Sequence, residues 1–284
     1  MLELISSHAC FAGEQRFYRH KSTVIGLAMK FSVYLPPQAE ETRVPALLYL
    51  AGLACTEDTF MTKAGAQQFA AAHGIALIAP DASPRGAGVP GETDAWDFGV
   101  AASFYVDATE TPWAKHYRMY TYILDELRET VVRDLPIDGA RLGVCGHSMG
   151  GHGALVLALR NPDVFRSVSA FAPIAAPTQC PWGEKAFSGY LGHNREAWKQ
   201  YDASELIATG LRKFEEGILV DQGMADQFLS TQLNPDVFEA ACRAAGQPLT
   251  LRRHEGYDHG YYFVQSFIAD HVYHHAVILR ALRC

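Results

Sequence analysis

An α/β fold, with a mostly parallel central sheet, helices on both faces and antiparallel N-terminal strands, is predicted by three observations. Short continuous apolar runs, Pro45-Ala46-Leu47-Leu48-Tyr49-Leu50 and Ile75-Ala76-Leu77-Ile78-Ala79-Pro80, suit strands buried on both faces of a sheet. Helical patterns alternate with such runs along the rest of the chain. Ahead of them, Arg16-Phe17-Tyr18-Arg19-His20 and Met29-Lys30-Phe31-Ser32-Val33-Tyr34-Leu35 alternate and stop at Pro36-Pro37, as early antiparallel strands do.

Between the two apolar runs, Ala64 to His73 is alanine-rich and closed by Gly74, which reads as a crossover helix. Ser83 to Gly91, rich in Gly and Pro, follows a strand and reads as an active-site loop. Tyr120, Ile123, Leu124, Leu127 and Val131 recur at helical spacing, with Asp125, Glu126, Arg128 and Glu129 opposite, so a sheet-covering helix is expected there. Arg141-Leu142-Gly143-Val144-Cys145, Ser167 to Ala172, Ile218 to Asp221 and Leu249 to Arg253 read as further strands, with helical material at Pro235 to Ala245 between the last two. No repeat, low-complexity tract or linker interrupts the 284 residues, and 49% hydrophobic content supports one domain spanning 1–284.

The net charge of −7 disfavours nucleic acid or an anionic membrane as the main partner, since both require a concentrated basic surface. Six cysteines, Cys10, Cys55, Cys145, Cys180, Cys242 and Cys284, lack paired or zinc-like spacing, so reduced thiols are expected. Met1 to Ser6 lacks a basic segment followed by a long apolar run, and no stretch approaches the ~20 apolar residues of a membrane span, which gives a cytoplasmic expectation. His271, His274 and His275 share a helical face, but no carboxylate motif accompanies them; a surface helix is expected, with no metal and no cofactor.

Chemistry enters at Gly146-His147-Ser148-Met149-Gly150, a G-x-S-x-G segment between a strand and the helical run Gly153 to Leu159, which stops at Asn161-Pro162. A tight strand-to-helix turn lifts a serine hydroxyl out of the sheet, and the helix N-terminus directs free N–H groups to the place where an oxyanion forms. Ser148 is therefore the candidate nucleophile. It needs a base and an orienting acid, in the chain order serine, acid, histidine of an α/β-hydrolase. Asp226 follows a strand in a loop able to turn its carboxylate, and is preferred to Asp221, which still belongs to that strand. His259 lies in the loop after the last strand, beside Gly260, and is preferred to His254 at the strand end. The oxyanion donors expected in this arrangement are the N–H of Met149, next after the nucleophile, and that of Leu53, where Ala51 to Cys55 leaves the sheet.

Several long stretches resemble the S-formylglutathione hydrolase, or esterase D, family: Gly52-Leu53-Ala54-Cys55-Thr56-Glu57, Asp81-Ala82-Ser83-Pro84-Arg85-Gly86, Trp96-Asp97-Phe98-Gly99, Phe104-Tyr105-Val106-Asp107-Ala108-Thr109, Gly146 to Gly153, Cys180-Pro181-Trp182-Gly183 and Gly256-Tyr257-Asp258-His259. The resemblance implies an α/β-hydrolase that cleaves S-formylglutathione to glutathione and formate in formaldehyde detoxification, in a cytoplasmic and often dimeric protein. It implies Ser148, Asp226 and His259 as the triad, Leu53 and Met149 as oxyanion donors, and Cys55 as a cysteine near the active site. Trp182 and Trp96 are expected to wall a tight acyl pocket, against the alternative that both are core aromatics. Lys63, Arg85 and Lys185 are candidate cations for glutathione's carboxylates, with no choice among them. The competing readings are a general small-acyl carboxylesterase, an acyltransferase or a non-catalytic binder on the same fold.

Overall fold

Val44–Leu50 and Ala76–Pro80 are buried at every position, which is why they read as unbroken apolar runs, and they pair in parallel at the middle of the sheet. The structure, a computed structural model, describes residues 2–210 and 214–282. Met1 and Cys284 lie outside the described residues, as does part of the region from Gly210 to Glu216. Among the described residues the sheet has nine strands: β1 Leu2–Cys10, β2 Gly13–Lys21, β3 Ala28–Leu35, β4 Val44–Leu50, β5 Ala76–Pro80, β6 Ile137–His147, β7 Phe165–Phe171, β8 Ile218–Gly223 and β9 Leu249–His254. Their spatial order is β1-β2-β3-β5-β4-β6-β7-β8-β9. β1, β2, β3 and β5 run antiparallel in succession, and every pairing from β5 through β4 to β9 is parallel.

Helices cover both faces; alternation along β6 sets Cys145 and Leu142 on opposite sides, and at a register shift beside Leu142 Phe165 of β7 joins the Leu142 side although Ser167 and Ser169 face the other. Cys145 and Ser169 face the long helix Tyr261–Ala281, where they meet His271. On the other face Leu142 and Phe165 share a small apolar gap with Ile123, Leu127 and Val131 of the helical segment 119–134. The helix Met149–Arg160 is buried over nearly its whole length against β6 and β7.

Three expectations change. The crossover is two short helices, Thr59–Lys63 and Gln67–His73, because Gly65 between them takes φ +65°, a left-handed turn incompatible with one continuous helix. β1 was not foreseen: no position of it is fully buried, so it carries no alternation of burial. The third correction concerns His271 and His275. They lie on no surface; both are fully buried beneath the sheet. His275 bonds Ser167 Oγ at 2.6 Å and Ser169 Oγ at 2.8 Å, while His271 bonds Ser169 Oγ at 2.9 Å and Asp221 at 3.2 Å. Serines on the inner face of β7 supply the partners that make such burial affordable. No helix among the described residues is long and apolar enough to cross a membrane.

Candidate active site

Ser148 sits between β6 and the helix Met149–Arg160 with φ 58° and ψ −119°, a left-handed conformation that only tight tertiary packing sustains in a residue with a Cβ. Its neighbours explain the two glycines of the motif. A Cβ on Gly146 would collide with the Gly150 carbonyl, and one on Gly150 with the Leu50 carbonyl, so neither position accepts a side chain. The turn is pinned by Ser148 N–H to the Phe171 carbonyl at 2.9 Å and by His152 N–H to the Ser148 carbonyl at 3.0 Å.

The loops that carry Asp226 and His259 leave adjacent strands and are laced together. Met224 N–H donates to the His254 carbonyl and Ala225 N–H to the Tyr257 carbonyl, both at 2.9 Å. This brings His259 Nδ1 to 2.5 Å from Asp226 Oδ2. The Asp226 side chain is sealed from solvent, and Phe228 N–H at 2.8 Å and Gln222 Nε2 at 3.4 Å also donate to its carboxylate. With its Nδ1 engaged, the His259 imidazole keeps Nε2 for the other side of the ring. Ser148 Oγ makes no hydrogen bond among the described residues; such contacts commonly tighten only when substrate arrives.

The two rivals serve elsewhere. Asp221 is fully buried and takes a two-pronged ion pair from Arg252 at 2.6 Å on each oxygen, plus His271. Burial would raise its pKa, but hydrogen bonds from His271 and Arg252 outweigh that and hold its carboxyl well below the usual range. His254 faces Asp221 at 3.2 Å and stacks on Phe267, away from Ser148.

Beside the elbow lies the loop after β4. A Cβ on Gly52 would stand 3.3 Å from Ser148 Cβ, so Leu53 follows directly at the nucleophile. Among the described residues neither Leu53 N–H nor Met149 N–H has a partner, which leaves two free donors beside Ser148. Cys55, partly buried, lies in the same loop, and burial pushes its thiol pKa up. Trp182, Phe228 and His259 form an aromatic file, Trp182 to Phe228 at 4.7 Å and Phe228 edge-on to His259 at 5.0 Å. Trp96 is 59% exposed and reaches this file only through an edge contact with Trp182 at 5.6 Å. Of the candidate cations, Arg85 is taken up by Asp81 and the Cys55 carbonyl, and Lys185 pairs with Asp97. Lys63 has no carboxylate partner among the described residues and stands 5.8 Å over the Tyr261 ring, two positions from His259.

Two groups at the site escaped the sequence reading. Phe228 carries no motif, and only its position two residues after Asp226 hints at it. His147 is buried with both ring nitrogens unpartnered, 4.6 Å from the His259 ring. Burial, and then the neighbouring His259, push its pKa well down. A neutral His147 matters chemically, because a second cation at that distance would oppose the charging of His259.

A family model described as "Putative esterase" matches residues 22–274. The chain is 52% identical over 281 residues to the S-formylglutathione hydrolase of Rattus norvegicus, covering 99% of each chain, and 49% identical to that of Arabidopsis thaliana, covering 98% of each. The chain belongs to the S-formylglutathione hydrolase family. A solved S-formylglutathione hydrolase from Agrobacterium tumefaciens superposes with a TM-score of 0.95 at 44% identity, over 98% of this chain and 99% of that one. The parallel sheet, its two helical layers and the strand-turn-helix at Ser148 are thus the α/β-hydrolase architecture of the S-formylglutathione hydrolase family.

Proposed function

We propose that this protein hydrolyses S-formylglutathione to glutathione and formate, with Ser148, His259 and Asp226 as its triad. The observation that carries the reading is the 2.5 Å pairing of His259 Nδ1 with a sealed Asp226, next to a serine held in a strained turn. On this reading His259 Nε2 takes the hydroxyl proton as Ser148 Oγ attacks the formyl carbon, and Asp226 steadies the imidazolium. The N–H groups of Leu53 and Met149 receive the oxyanion. The tetrahedral adduct collapses with cleavage of the C–S bond, and His259 returns its proton to the departing sulfur. A thiol's pKa near 8.5 makes that departure easier than an alcohol's. Water activated on His259 then releases formate and restores Ser148.

Formyl is the smallest acyl group, which suits an acyl pocket closed by Phe228 and Trp182. Of Lys63, Arg85 and Lys185, Lys63 is the one without a carboxylate partner among the described residues, open to a glutathione carboxylate. A reducing, cytoplasmic setting accords with free Cys10, Cys55, Cys145, Cys180 and Cys242. The test ranks kcat/KM for S-formylglutathione against a simple aryl ester, in the native protein and in Ser148→Ala. A strong preference for the thioester, with a loss approaching ~10⁶ in kcat for Ser148→Ala, is expected. Equal or better turnover of the aryl ester favours a general carboxylesterase.

A further inference from the structure

An oxyanion hole built from backbone N–H groups depends on peptide planes that something else must hold, and one of these planes follows a glycine. The Gly52–Leu53 peptide has one long bond of its own, Cys55 N–H to the Gly52 carbonyl at 3.4 Å, and both ends of its loop are tied to a single buried segment, residues 101–105. Ala54 N–H donates to the Ala101 carbonyl at 3.1 Å, and the Tyr105 hydroxyl donates to the Ala51 carbonyl at 2.8 Å. The same segment reaches the second donor residue, because Phe104 N–H donates to Met149 Sδ at 3.3 Å. His152, one turn into the elbow helix, closes the ring through Nε2 to the Phe104 carbonyl at 2.9 Å.

The segment itself is strained. Ala101, Phe104 and Tyr105 take φ of 58°, 50° and 51°, left-handed values at three residues that carry side chains. All five positions are buried. Such a run persists only where its surroundings over-determine it. Here Ala101 N–H donates to Ser83 Oγ at 2.7 Å, Ser103 Oγ donates to the Ala82 carbonyl at 2.6 Å, and Tyr105 N–H donates to Ser103 Oγ at 3.2 Å. The Tyr105 ring presses so closely on the elbow helix that a Cβ on Gly153 would lie 2.7 Å from it.

We propose that residues 101–105 are a clamp that sets the oxyanion donors of Leu53 and Met149, with Tyr105 as its principal positioning residue. The proposal rests on the reading of Ser148 as nucleophile and of those two N–H groups as donors. Tyr105 touches no reacting atom; it acts by fixing Ala51, and through it the plane that carries Leu53 N–H. Its hydroxyl is therefore worth far more in the transition state than in the ground state.

The test is Tyr105→Phe in the full chain, which keeps the ring and deletes the hydroxyl that donates to the Ala51 carbonyl. The expected result is a fall in kcat of about 10- to 100-fold with KM held within about twofold. A trifluoromethyl ketone, whose adduct with Ser148 bears an oxyanion, should weaken by the same factor while product inhibition by glutathione stays unchanged. A merely structural tyrosine would lower the melting temperature and leave kcat per folded molecule as it was, and that result overturns the proposal. Ser83→Ala, which frees Ala101 N–H, carries the same test if the first variant fails to fold; about tenfold loss of kcat is expected, and none overturns the clamp. Ser148→Ala run alongside separates the two failures. Turnover retained in Ser148→Ala overturns the underlying reading, whereas turnover lost there but kept in the clamp variants overturns the clamp alone.

Discussion

His259 Nδ1 and Asp226 Oδ2 meet at 2.5 Å although they leave the sheet from different strands, β9 and β8. The contact depends on the two lacing bonds at Met224 and Ala225 and on Phe228 N–H, which holds the other carboxylate oxygen. Asp226→Asn keeps the shape but offers His259 an amide able to select the wrong tautomer. The expected loss is about 10³- to 10⁴-fold in kcat with an unchanged circular dichroism spectrum. A loss below about tenfold would mean that another group orients the imidazole.

Asp221, five residues before Asp226, should fail differently. Its carboxylate is sealed under the sheet and shared by Arg252 and His271. Asp221→Asn deprives the Arg252 guanidinium of its buried counter-charge and leaves it the exposed Asp270 at 2.6 Å. A destabilisation of about 2–4 kcal/mol is expected by urea titration, below the full buried-pair value because Arg252 keeps 30% of its side chain in solvent. Activity per folded molecule should stay near that of the native chain.

The contrast between these two aspartates shows what was legible in the sequence. The elbow announced itself because its glycines answer to collisions within a few residues, and the meeting of Asp226 with His259 followed from chain order after strands. The alternating and apolar runs gave β2 to β9, since their burial is set by which face of the sheet they occupy. β1 gave no such signal, being at an edge and mostly solvated. His271 and His275 looked like a polar helical face because a helix alone cannot reveal the serines waiting on β7. Nor could the left-handed run at Ala101, Phe104 and Tyr105 be foreseen, for no glycine marks it.

Cys55 lies in the loop after β4 with its thiol pKa raised by burial, so at neutral pH it is mainly protonated and a poor nucleophile. Cys55→Ser should keep turnover within about tenfold of native, while Ser148→Ala loses it almost entirely. Thiol-directed reagents should inhibit the native chain by obstruction and spare the variant. If Cys55→Ser is as inactive as Ser148→Ala, the nucleophile has been misassigned.

Lys63 offers a test of the leaving group. Arg85 and Lys185 are already paired, whereas Lys63 has no carboxylate partner among the described residues and stands over the Tyr261 ring. Lys63→Met should raise KM for S-formylglutathione by about 2- to 5-fold, the worth of an exposed ion pair, and leave an uncharged aryl ester unaffected. The increase should shrink as salt is added. An equal change for both substrates would assign Lys63 to the fold rather than to glutathione.

Acid should unfold the protein through its buried histidines. Burial pushes His152 and His274 down to about 4, and lowers His147, His271 and His275 as well, from an ordinary value of 6.5. Because the folded pKa lies below the unfolded one, the unfolded chain binds the extra protons, and stability is lost as pH falls from about 6.5 towards 4. Each fully displaced histidine contributes a slope of up to about 1.4 kcal/mol per pH unit; His152 alone removes about 3 kcal/mol by pH 4. Asp221 acts in a lower window, since its depressed pKa stabilises the fold above about 3.9 and withdraws that support only as pH drops further. Unfolding free energies from urea titrations at pH 7.5, 6.5, 5.5 and 4.5 should therefore be level at first and then fall. In His152→Gln, whose amide can still donate to the Phe104 carbonyl, the slope below pH 6.5 should lessen by about one proton. An unaltered slope in that variant would show that His152 charges in the folded state, against its complete burial beside Phe104.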